Sequence, residues 1–97
     1  MPNPVPPELK GYFNEAGLFL LWPARGRPEK RMIALRWLAS HFEVGTVYRE
    51  VEVNALLKSL HVFHDHALLR RELVDQGFLT RKPDGSEYRR VEIDHNS

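Results

Sequence analysis

The chain has 97 residues, a formal net charge of +1 and no cysteine. That length fits one domain, and the lack of cysteine excludes a disulfide framework, a thiolate metal site and a cysteine nucleophile. Its 42% hydrophobic and 28% charged residues are ordinary for a globular domain.

The start, "MPNPVPP", holds four prolines and reads as an extended, disordered tail over residues 1–7. It has no basic stretch leading into an apolar one, so it is not a secretory signal. "ELKGYF" makes at best a short helix after Pro7, and "NEAG" a turn. "LFLLW" is an apolar run closed by Pro23, expected as a short buried or edge strand. With its neighbours it is far too short to span a bilayer. A soluble, cytoplasmic protein with no membrane contact is the expectation.

"PARGRP" is a basic loop. Pro28 then suits the first position of a helix whose buried side carries Ile33, Trp37, Leu38 and His41, widened by Leu35 and Phe42. Gly45 ends it, and "EVGTVY" is expected extended. A second long helix spans about 49–61, with Val53, Leu56, Leu57 and Leu60 at helical spacing. A third begins at Asp65, a good N-cap, and ends at Gly77. "FLTRK" and "EYRRVEI" follow as strands around "PDGS", where Asp84-Gly85 signals a hairpin. "DHNS" reads as a frayed tail. The turn between the second and third long helices is short but carries no glycine.

This order predicts an α+β winged helix-turn-helix: three main helices, a small sheet and a C-terminal β-hairpin wing. One domain over residues 8–93 is expected between tails at 1–7 and 94–97.

Charge is unevenly spread. Residues 23–36 carry Arg25, Arg27, Lys30, Arg31 and Arg36 against Glu29 alone, and the hairpin carries Arg81-Lys82 and Arg89-Arg90. The pattern fits one basic face or a solvated mixed surface. In a DNA-binding reading, the start of the third helix approaches the bases with His64 and His66. Arg70 and Arg71 touch phosphate or a guanine edge, and Arg81, Lys82, Arg89 and Arg90 track the backbone. Arg25, Arg27, Lys30 and Arg31 extend that surface or form a separate one. The alternative has Arg70 or Arg71 paired with Glu72, Asp75 or the acidic middle helix. It has the hairpin charges guarding a strand edge. His61, His64, Asp65 and His66 are metal-ligand types within six residues. A helix boundary between His61 and Asp65 spoils their spacing, so no metal and no cofactor are expected. No phosphate loop, nucleophile elbow or acid/base pair is present, so no enzyme is expected.

The stretches "YFNEAGLFLLWPARGRPEKRMIALRWLASHF", "YREVEVNALLKSLH" and "DHALLRRELVDQGFLTRKPDGSEYR" resemble a bacterial family, domain of unknown function 2087. The resemblance covers residues 12–91, and its last stretch is the most specific. It implies a winged-helix module that occurs alone or behind repressor-type DNA-binding domains, labelled as a transcriptional regulator and without established chemistry. This chain departs in having Arg49 where a Ser or Thr helix cap is usual, which bears on the capping of the middle helix. No separate DNA-binding domain is expected in these 97 residues, so if they bind nucleic acid, their own helix and wing are expected to do so.

The expectation is a DNA-binding protein, a bacterial transcriptional regulator, using residues 65–76 and the hairpin 78–92 on double-stranded DNA as a homodimer. The competing expectation is a protein-protein interaction module on the same scaffold, docking a protein partner through "LFLLW" or a helix face.

Overall fold

The computed structural model describes residues 2–92. The tail expected at 94–97 lies outside them. The fold class is α+β, as expected. A short 3-10 helix, Pro7–Tyr12, precedes α1 (Pro28–Ala39), α2 (Glu50–Lys58) and α3 (His66–Asp75). A two-stranded antiparallel hairpin of β1 (Leu79–Arg81) and β2 (Tyr88–Arg90) closes the described chain.

The three α-helices enclose the core. Leu35 and Leu38 of α1, Val53 and Leu57 of α2, and Leu69 and Leu73 of α3 are buried with Phe78, Leu79 and Tyr88 from the hairpin. The N-terminal side adds Leu9 and Phe19. Phe13, Phe19 and Trp37 meet in tilted and edge-on ring contacts, which contribute beyond area alone.

Three sequence expectations are corrected. "LFLLW" is not a strand: Phe19 alone bridges, to Phe13 and to His61, while Leu20 and Leu21 turn outward. The reason is that Phe19 bonds only the Leu60–Val62 segment, donating to Leu60 O and accepting from Val62 N–H. Its neighbours turn to the other side, Leu18 O accepting from Asn14 N–H and Leu20 N–H donating to Tyr12 O, and neither pairing extends into a ladder. The same bridge ends α2 early. His61 is drawn onto Phe19, so the helix stops at Lys58 and not near 61. The hairpin strands are three residues each, shorter than expected, because a Lys82–Gly85 turn closed by Gly85 N–H to Lys82 O takes up the middle. Pro83 occupies its second position, and Gly85 (φ +74) takes the left-handed backbone that returns the chain to β2.

"EVGTVY" is extended but forms only bridges. Tyr48 and Tyr88 exchange a reciprocal pair of backbone hydrogen bonds, 2.8 and 2.7 Å, at the outer edge of β2. The proline-rich start, read above as a disordered tail, is extended and is tied to the end of α1. The Trp37 indole N–H donates to the carbonyls of Asn3 and Pro4, and the Asn3 side chain donates to Ser40 Oγ.

The helix ends follow local chemistry. Asp65 Oδ1 accepts from Leu68 N–H and caps α3. At its other end, Phe78 N–H bonds Leu73 O and Gly77 N–H bonds Val74 O, a Schellman motif with Gly77 at φ +83. The start of α2 has no side-chain acceptor at Arg49. Glu52 compensates by accepting the Arg49 backbone N–H at 2.8 Å, which holds its carboxyl below the usual range.

Candidate nucleic-acid interface

α3 presents different sides to α2, to α1 and to the hairpin. Leu69 and Leu73 face inward, leaving Arg71 and Asp75 exposed and Arg70 and Glu72 half-buried on either flank. On the hairpin, Arg81 pairs across the strands with Tyr88, Thr80 with Arg89, and Leu79 with Arg90. Side chains opposite each other share a face and alternate along the strand. Arg81 therefore lies on the face of buried Leu79 and Tyr88, whereas Arg89 lies on the outer face.

The expected site residues separate into two groups. Arg70 is a structural tie: its guanidinium bonds Asn54 Oδ1 and lies 3.7 Å from Glu50 Oε1. Glu50 Oε1 also accepts from the Tyr88 hydroxyl at 2.8 Å. Burial and this carboxylate push the Tyr88 phenol above its ordinary pKa. Arg90 donates to Phe42 O at 3.0 Å, fastening β2 to the end of α1. Lys30 donates to Glu8 O at 2.9 Å and sits over the Tyr12 ring.

Other candidates are more available. Arg71 and Arg81 are exposed and have no ion-pair partner among the described residues. They border one notch of about 140 Å³ between α3 and the hairpin, together with Arg70, Asp75 and Tyr88. Lys82 and Arg89 are exposed too, but both reach Glu87, at 3.0 and 3.7 Å. Arg25 and Arg27 are exposed on the loop before α1. Arg25 borders a second hollow of about 460 Å³, with Arg31, Met32 and Glu72 among its walls. The basic residues before α1 and those of the hairpin thus border separate depressions.

Sequence reasoning missed the pair that joins α1 to α3. Arg31 bridges Glu72 at 3.1 Å and donates to Pro23 O at 2.8 Å. Forty-one positions separate the two partners, so no local spacing could reveal it.

The histidines divide similarly. His64 is exposed at φ 55, the left-handed conformation the glycine-free turn demands of some residue. His66 opens α3, half-buried. His61 is buried, and both of its ring nitrogens are engaged. Nδ1–H donates to Leu57 O at 2.6 Å, and Nε2 accepts from Asp65 N–H at 3.0 Å. It links the end of α2 to the cap of α3 as a neutral ring, and burial lowers its pKa. His41 repeats the arrangement, donating to Trp37 O and accepting from Asn3 N–H, and burial lowers its pKa as well. Among the described residues no group of three or more His, Asp or Glu is placed to hold a metal ion, and no helix is long and apolar enough to cross a membrane.

Comparison with curated proteins and with solved structures finds no match. Residues 21–90, from the loop before α1 to the end of β2, match the family described as "Uncharacterized protein conserved in bacteria (DUF2087)". The matched span holds α1, α2, α3 and the hairpin with its notch, and the chain therefore belongs to the bacterial DUF2087 family.

Proposed function

We propose that the chain is a winged helix-turn-helix DNA-binding module acting in bacterial transcription control. In this reading α2, the Ser59–Asp65 turn and α3 form the helix-turn-helix. α3 enters the major groove, and the hairpin follows the adjacent backbone as a wing. The element order supports the reading. So does the Tyr48–Tyr88 pair, which supplies one residue of a third strand where a winged helix has one.

The observation that carries it is the pairing of Arg71 on α3 with Arg81 on the hairpin. Both are exposed, both lack an ion pair among the described residues, and both open on one notch. Helix and hairpin thereby offer cations to one partner. Lys82 and Arg89 add exposed cations elsewhere on the hairpin, with Glu87 as their resting counter-ion.

The test is fluorescence anisotropy of a labelled random-sequence duplex. Binding is expected at low salt and should fall steeply as salt rises, because each phosphate contact releases a counter-ion. Non-specific affinities of such proteins lie near 10⁻⁴–10⁻⁶ M, so a flat titration to about 100 μM protein at low salt would overturn the reading.

One observation favours a second reading, a protein-docking scaffold. Leu20 and Leu21, within the run expected as a buried or edge strand, are 44% and 58% exposed. That reading requires Leu21→Ser to abolish capture of a stoichiometric protein partner while duplex titrations stay flat.

A further inference from the structure

We propose that the notch between α3 and the hairpin is an oxyanion site that takes a single phosphate group. The proposal deepens the DNA reading by giving one phosphate one place, while its argument comes from the notch itself.

The notch is small. At about 140 Å³ it falls below the roughly 300–1,000 Å³ of pockets that enclose a drug-sized ligand. It suits a group at the end of a larger molecule, or a small free anion. Its walls are chiefly polar: three guanidinium groups, the Tyr88 phenol and the Asp75 carboxylate.

These groups differ in what they can still give. Tyr88 is committed to Glu50, at 2.8 Å. Arg70 is held by Asn54 and Glu50 and forms a fixed wall, its charge largely answered. Arg71 and Arg81 have no ion pair among the described residues, and Arg81 meets only the neutral Tyr88 hydroxyl. Asp75 lies one helical turn beyond Arg71 yet is within 4.0 Å of no cation among the described residues. Among the described residues, two guanidinium groups without ion pairs therefore share the notch with one unpaired carboxylate, and the local excess is positive. Guanidinium forks match phosphate oxygens with parallel hydrogen bonds. One fork from the helix and one from the hairpin suit an oxyanion that bridges them.

Phosphate chemistry has two sources here: the phosphodiester of a nucleic-acid backbone, or a free phosphate. Both are resolved by nuclear magnetic resonance on the ¹⁵N-labelled full chain. Inorganic phosphate is titrated against chloride at constant ionic strength, then a short random-sequence duplex. Saturable shifts are expected at Arg71, Arg81 and Tyr88, abolished by Arg81→Gln and by Arg71→Gln. Arg36→Gln, exposed on α1 and bordering a different hollow, is the control. Saturation by inorganic phosphate assigns a free anion; saturation by duplex alone assigns the backbone.

With duplex, Arg81→Gln should reduce the slope of log K against log salt by about 1, the share of one phosphate, and Arg36→Gln should leave it unchanged. If phosphate saturates the notch and duplex never binds, the DNA reading fails and the site stands. If duplex binds with an unaltered slope in Arg81→Gln, and phosphate leaves the three resonances in place, the site is overturned and the DNA reading stands. Failure of both ligands to move them overturns the site outright.

Discussion

The Tyr88 hydroxyl donates to Glu50 Oε1 across 2.8 Å, joining the hairpin to the first turn of α2. The phenol ring is buried, so this contact sets how the hairpin sits on the helices. Replacing Tyr88 by Phe keeps the ring and removes the donor. We expect a loss of about 1 kcal/mol, the net worth of one such hydrogen bond. It should appear as a lower urea midpoint with an unchanged m-value. A variant as stable as the parent would show that the hydroxyl contributes nothing to seating the hairpin.

Arg70 and Arg71 are neighbours in sequence with opposite expected behaviour. Arg70→Met breaks the contacts to Asn54 and Glu50. It should cost about 1–2 kcal/mol once solvent screening of the half-exposed pair is discounted. Arg71→Met should change stability by no more than about 0.5 kcal/mol, as for other surface positions, yet weaken duplex binding. Equal stability losses in the two would refute the division.

His64 occupies a left-handed backbone conformation without being glycine. That conformation costs an ordinary residue roughly 1–2 kcal/mol. His64→Gly removes this strain but adds freedom to the unfolded chain, so it should be close to neutral or mildly stabilising. His64→Val, a β-branched residue in the same turn, should lower stability by about 1–2 kcal/mol. Thermal melts of the two variants give the comparison, and equal midpoints would contradict it.

His41 and His61 are held neutral, each with a pKa below the ordinary 6.5. Each ring presents an acceptor nitrogen to a backbone N–H, so a second proton would set two donors face to face. Between the lowered folded value and 6.5 the unfolded chain binds more protons. The stability held by these rings is therefore complete above pH 6.5 and declines as pH falls toward the folded value, then levels off. His61→Gln should flatten the dependence of the unfolding midpoint on pH in that window. An unchanged slope would argue against His61 as a titrating contributor.

The helices were legible because their signals are local. Pro28 at the start of α1, the Asp65 cap and Gly77 at the end of α3 each act within one turn of the backbone. "LFLLW" was misleading because its composition fits a strand, while strand formation needs a partner of matching length and Phe19 meets a single residue on each side. The candidate site was half legible. Both roles of the Arg70-Arg71 pair were visible as alternatives, and position on the helix face gives the structural one to Arg70 and leaves Arg71 exposed. Lys82 and Arg89 showed their charge in the sequence, but not that one glutamate at the hairpin serves both.

That glutamate gives the hairpin a property beyond its count of cations. Glu87 occupies Lys82 and Arg89 together, so an anion that engages either must first compete with a tethered rival. A free cation answers any passing negative charge; one with a resident counter-ion answers only when the gain exceeds that of the resident. These exposed pairs set a small threshold, about 1 kcal/mol or less, for any anion that approaches Lys82 or Arg89. Removing the rival by Glu87→Gln would lower the threshold without adding a single positive group.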